Sequence, residues 1–204
     1  MTRRSHWPVS EDSDGPAPSR AGAEPSRRAG EPTAEPKDPV ERARAICLRL
    51  LTGTPRTRRQ LADALRRREI PDEAAQQVLD RFEEVGLIDD AAFADAWVDS
   101  RHHSRGLARR ALARELRTKG VDAATVDEAV GRLDSDQEAE TARALVDRKL
   151  RTTRGLPREK RIRRLAGMLA RRGYAEGLAL RVVRQALEEE GEDPELLEEH
   201  LPEA

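Results

Sequence analysis

From about residue 41 to residue 187, apolar side chains return along the chain at intervals of three and four. They do so at Leu61 and Leu65; at Ala75, Val78, Leu79 and Phe82; at Leu112 and Leu116; at Val126, Ala129, Val130 and Leu133; at Leu165, Met168 and Leu169; and at Val182, Val183 and Ala186. That spacing lines one face of a 3.6-residue helix, whereas a half-buried strand would alternate at two. No alternating run rich in Val, Ile and Thr competes with it, so the pattern predicts an all-α protein.

The helical pattern also repeats. Aligning Leu61, Leu112 and Leu165 brings Leu65, Leu116 and Leu169 into register, and the next matched positions are Glu69, Gly120 and Gly173, followed by Ile70, Val121 and Tyr174. A glycine in the left-handed conformation just past a helix, followed by an apolar residue that packs back on the last turn, is a Schellman ending. Glu69 stands where the other two copies have glycine, which costs up to ~1 kcal/mol if the backbone there is left-handed. A further helix precedes each pair: AICLRLL with Ile46 and Leu50, AFADAWVDS with Phe93 and Trp97, and ARALVDRKL with Leu145 and Val146. The expectation is three tandem three-helix repeats, helix-turn-helix-like in form, over 41–88, 89–134 and 135–190, stacked as an elongated, curved, solenoid-like array. Asp89 and Asp90 are placed to cap the first helix of the second repeat. Pro71 and Pro157 suit the first turns of their helices.

Outside this region the pattern stops. Residues 1–40 hold seven of the twelve prolines and show no apolar periodicity, so they are expected to form an unstructured arm. Residues 191–204 read as a solvated acidic tail. Charge follows the same divisions: the formal net charge is -1, yet residues 188–204 carry nine acidic residues and no Lys or Arg, and positions 41–187 hold 32 basic against 23 acidic residues. The repeat region is therefore basic.

Only 2% of the residues are aromatic, yet Phe93, Trp97 and Arg101 fall at i, i+4 and i+8 of one helix face. They read first as core anchors, with the Arg101 stem lying along apolar surface. The single cysteine, Cys47, excludes an internal disulfide and any multi-cysteine metal site, and its apolar neighbours make it a small core residue. No window approaches the ~18 apolar residues of a membrane span, and no apolar signal core follows the N-terminal arginines. A cytoplasmic protein is expected, with no membrane partner.

HExxH, P-loop, GxSxG and CxxC patterns are all missing, and the adjacent His102 and His103 point about 100° apart on a helix, as solvated residues of an arginine-rich helix end. Neither an enzyme nor a cofactor is expected. The basic stretches point to binding instead. Residues 148–172 hold eleven basic residues against the single Glu159, a footprint for phosphate or for an acidic protein groove. The candidate surface is Arg101, Arg105, Arg109 and Arg110 with Lys160, Arg161, Arg163, Arg164, Arg171 and Arg172. Aromatic platforms for stacking bases are lacking there, since Tyr174 sits at a helix ending.

The stretch GLIDDAAFADAWVDSRHHSRGLARRALARELRTKGV resembles the RecX family, regulators of the bacterial RecA recombinase, in Asp89-Asp90, Phe93-Ala94, Trp97, Arg101, Gly106, Glu115-Leu116 and Gly120-Val121. The resemblance covers about residues 41–187, and the third repeat, without the aromatic pair, departs from it most. It implies a non-enzymatic monomer that binds the RecA filament on single-stranded DNA, with the DNA as a further contact, and inhibits ATPase, strand-exchange and co-protease activities in DNA repair and the SOS response. The alternative is a helix-turn-helix protein acting directly on duplex DNA, because LARELRTKGVDAATVDEAVGRL joins two short helices by a glycine turn. Against it, the second of those helices carries Asp127 and Glu128 and only Arg132 as a cation for bases.

Overall fold

The structure, a computed structural model, describes residues 38–191. Among these there are nine α-helices and no strands: α1 Pro39–Gly53, α2 Arg58–Arg66, α3 Asp72–Glu84, α4 Asp90–Arg105, α5 Arg109–Thr118, α6 Ala123–Gly131, α7 Ser135–Leu150, α8 Arg158–Arg171 and α9 Glu176–Gly191. A single 3-10 turn, Arg151–Thr153, follows α7. The expectations of an unstructured arm and an acidic tail fall almost wholly outside the described residues. Where they overlap, the structure is helical: Asp38 caps α1 by accepting from the Val40 N–H, and Pro39 occupies its first turn. Asp-Pro is a helix start signal, obscured in the sequence by the prolines before it.

The helices form three units, α1–α3, α4–α6 and α7–α9, each around its own core. Leu61, Leu65, Ile70, Leu79 and Phe82 fill the first. Phe93, Leu112, Leu116, Val121 and Val126 fill the second, and Leu145, Leu165, Leu169, Tyr174 and Val183 the third. The aligned leucine pairs and the residue after the glycine position are thus core in every unit. The Schellman ending is present in each: the N–H groups of Ile70, Val121 and Tyr174 donate to the carbonyls of Leu65, Leu116 and Leu169, all at 3.2 Å. Gly120 and Gly173 have φ of 85° and 88°, and Glu69 adopts the same left-handed region at 56°.

Local caps explain where the helices begin. Thr57 closes a capping box with Gln60 on α2, and Asp122 accepts the Thr125 N–H on α6. Asp89 caps α4 by accepting from Ala92 at 2.8 Å. Asp90 does something else: its Oδ1 accepts the Arg58 N–H at 2.9 Å and so joins the second unit to the first. Pro71 and Pro157 stand at the N-cap, one position before the first turn.

The two junctions between units share one design. The start of the second helix in one unit meets the end of the second helix in the next. At the first junction the Thr57 hydroxyl donates to the Lys119 carbonyl at 2.6 Å, and a Cβ on Gly120 would overlap the Arg59 side chain. At the second the Ala108 N–H donates to the Arg172 carbonyl at 2.9 Å, and a Cβ on Gly173 would overlap the backbone of Ala111. The acids that receive Arg58 and Arg109 also correspond: Asp90 takes the Arg58 N–H, and Glu138 takes the Arg109 N–H at 3.2 Å.

Candidate interaction surface

The face around Trp97 is more polar than a core. Phe93 is buried, and its ring stacks on Trp97 with centroids 5.8 Å apart and planes at 15°. Trp97 itself is half-buried. Its Nε1–H donates to the Glu115 carboxylate at 2.8 Å, and the Arg101 guanidinium and Lys119 ammonium sit 4.2 and 3.9 Å from the ring centroid. Each cation over an indole face contributes roughly 0.5–1 kcal/mol, more where water is excluded. Burial, and then the neighbouring Arg101 charge, hold the Lys119 amine below the ordinary lysine range. The cluster joins α4 to α5.

His102 corrects the reading of a solvated pair. It is 1% exposed, with Nδ1 2.9 Å from the Leu107 carbonyl and Nε2 3.0 Å from the Thr141 hydroxyl of the third unit. The left-handed turn at Gly106 swings the Leu107 carbonyl back over the ring. His103 is exposed, as expected.

Four of the ten candidate cations are engaged within the fold, two inside a unit and two between units. Arg101 covers Trp97 and lies 4.0 Å from Glu115. Arg109 reaches the Leu133 carbonyl and stands 3.7 Å from Glu138, across the second junction. Arg161, 14% exposed, donates to Glu190, to the Thr153 hydroxyl and to the Leu150 carbonyl. Arg172 donates to the Arg105 carbonyl at 3.4 Å. Glu190 is 5% exposed and also takes Arg154 at 2.8 Å; burial pushes its carboxyl up, but the bonds from the two arginines outweigh this and hold it below the usual glutamate value. A cation in such a buried pair cannot be spent on a partner without stranding its acid.

The other six, Arg105, Arg110, Lys160, Arg163, Arg164 and Arg171, are exposed, and none makes an ion pair among the described residues. Lys160, Arg164 and Arg171 share one stripe of α8 with Gly167, at helical intervals of four, three and four. Arg110 and a cation the sequence reading passed over, Arg114, rise from α5 on the opposite wall of an open groove of about 490 Å³ between the second and third units. Ala111, Ala166, Gly167 and Ala170 give it a shallow floor of small residues. Arg59, likewise exposed and passed over, occupies in the first unit the position of Arg110 and Arg163. The repeat register held that signal: each of the three stands two residues before an aligned leucine.

The helix-turn-helix alternative would read through α6 and Arg132, which follows it. Arg132 is tied to Asp95 and Glu128, and Asp127 to Arg117.

The fold defines a protein of three tandem three-helix repeats, with six exposed cations across its second and third units. Family models match the chain unit by unit: the RecX first three-helix domain at residues 43–82, the second at 89–130 and the third at 136–183. The chain belongs to the RecX family of regulatory proteins. The regulatory protein RecX of Streptomyces lividans is 80% identical over 162 residues, covering 79% of this chain and 86% of its own length. That of Thermobifida fusca is 68% identical, covering 78% and 85%, and that of Mycolicibacterium smegmatis 48% identical, covering 78% and 86%. Among solved structures, RecX from Lactobacillus salivarius superposes with a TM-score of 0.69 at 16% identity, over 72% of this chain and 96% of that one. A second regulatory protein RecX gives 0.64 at 23%, over 69% and 70%. At those identities the likeness shows the shared fold.

Proposed function

We propose that this protein binds the RecA filament on single-stranded DNA and restrains its ATPase, recombinase and co-protease activities, as a non-enzymatic cytoplasmic regulator of DNA repair and the SOS response. Membership of a family of regulatory proteins supports the reading, and one observation carries it to a surface. Six cations chosen from the sequence are exposed across two units and make no ion pair among the described residues. A repeat array suits a repeating partner, and one exposed cation, Arg59, Arg110 or Arg163, recurs at the same position of each unit. The protein acts as a monomer, and single-stranded DNA is a further contact through the same cations. Phosphate or carboxylate can satisfy them, and they steer association at low salt.

Reversing Arg110, Arg163, Arg164 and Arg171 to glutamate tests the assignment. The helical circular dichroism signal should stay unchanged, since none of the four is in an ion pair among the described residues, while half-maximal inhibition of the RecA ATPase should need at least roughly tenfold more protein, about 1.4 kcal/mol of binding. Unaltered inhibition by this variant would remove the surface from the account.

A further inference from the structure

The acidic run that ends the chain begins inside the structure, and its first three members already hold cations of the third unit. Glu188 pairs with Arg158 at 3.3 Å, Glu189 with Arg143 at 2.5 Å, and Glu190 with Arg154 and Arg161. These contacts fix where the chain stands at Gly191: beside the start of α8, because α8 and α9 are antiparallel. Residues 192–204, which lie outside the described residues, continue with six acidic residues, no Lys or Arg, and three leucines, Leu196, Leu197 and Leu201.

From that point the α8 stripe runs away in a single direction. Lys160 comes first, then Arg164, Gly167 and Arg171; Gly167, with the Arg171 guanidinium beside it, lines the groove whose far wall carries Arg110 and Arg114. Lys160 to Arg171 spans roughly 16 Å of helix, and the thirteen residues from 192 to 204 reach roughly 40 Å when extended. The small-residue floor leaves room for leucine side chains, with Leu180 and the edge of Tyr174 as apolar lining. Glu176 is the one acid on the lining, set against two arginines there. The N-terminal arm is the poorer occupant: residues 1–37 carry six acidic and six basic residues, and they enter at α1, two units away.

We propose that the acidic segment 192–204 docks on its own molecule along the Lys160–Arg171 stripe of α8 and into the groove between the second and third units. It covers the same cations assigned above to the filament. The contact itself does not depend on the functional reading; the consequence, that a partner must displace the segment, does rest on it.

Zero-length carbodiimide coupling of carboxylates to amines, mapped by mass spectrometry on the full chain carrying Arg114→Lys, tests the contact with no RecA present. The expected result is coupling of Glu192 or Asp193 to Lys160, and of Glu198, Glu199 or Glu203 to the amine introduced at position 114. The yield should be independent of protein concentration and lost at about 1 M salt, where the screening length falls to ~3 Å. Coupling of these carboxylates to Lys119 and Lys149 as often as to Lys160, or links that form only between molecules as concentration rises, would overturn the proposal. With the contact in hand, neutralising the six acids in the full chain should lower the protein needed for half-maximal RecA inhibition several-fold. An unchanged requirement would leave the contact standing and remove its regulatory role.

Discussion

Position 69 and its equivalents 120 and 173 share one backbone conformation but differ in what surrounds them. Gly120 and Gly173 lie under the preceding unit, where a Cβ would meet Arg59 or Ala111. Among the described residues Glu69 has no preceding unit above it and is exposed, so a side chain is tolerated at the cost of a left-handed residue, ~1–2 kcal/mol. The glycines therefore serve the junctions as well as the helix endings. Gly120→Ala and Gly173→Ala are each expected to lose more than ~2 kcal/mol, left-handed strain plus overlap; Glu69→Gly should instead gain up to ~1 kcal/mol. Urea unfolding of the three variants checks this, and losses at 120 and 173 no larger than the gain from Glu69→Gly would show that packing adds nothing. Trp97 offers a second test at this scale. Trp97→Phe keeps a ring beside Arg101 and Lys119 but removes the N–H that donates to the Glu115 carboxylate, and should cost about 1.5–3 kcal/mol, the range of hydrogen bonds to charged groups. A neutral substitution would mean that water replaces the indole without penalty.

At the scale of the helix and its unit, α1 is fastened to the first core through Ala43 and Cys47, both fully buried. Burial pushes the Cys47 thiol from an ordinary 9.0 up to about 11, with Arg68 pulling weakly the other way. The folded form holds its proton where the unfolded chain has lost it. The associated stability is complete below pH ~9 and is lost as pH climbs through about 11. Two units of difference correspond to roughly 2–3 kcal/mol. Chemical unfolding at pH 8, 9.5 and 11 should show this fall in the wild type and a flatter one in Cys47→Ala, above a contribution common to both from Tyr174, which burial raises from 10.0 to about 12. Identical slopes would contradict the assignment. Helices and their endings were the most legible part of the chain, because apolar periodicity and the glycine-plus-apolar signal are local. The bonds between units were not legible. His102, Asp90 and Arg109 reach partners 39, 32 and 29 residues away, and nothing in a local window distinguishes a histidine or arginine that crosses a junction from one that faces water.

For the whole molecule, the same distinction decides how much of the candidate surface survives. Reading charge density along the sequence pointed to the second and third units, yet it could not separate Arg161 and Arg109, fastened to Glu190 and Glu138, from the exposed Arg163 and Arg110 beside them. Two further exposed cations, Arg114 of that region and Arg59 of the first unit, escaped because they sit outside the densest runs, although the repeat register marks Arg59. What remains is an array held together by one set of cations and offering another. The central claim is that the offered set engages a RecA filament. The most direct measurement is the single-stranded-DNA-dependent ATPase of the cognate RecA titrated with this protein, with binding to the bare strand followed alongside at low and moderate salt. The account predicts inhibition at protein levels well below those needed to coat the DNA. Inhibition only where the strand is coated, or none at all, would contradict it.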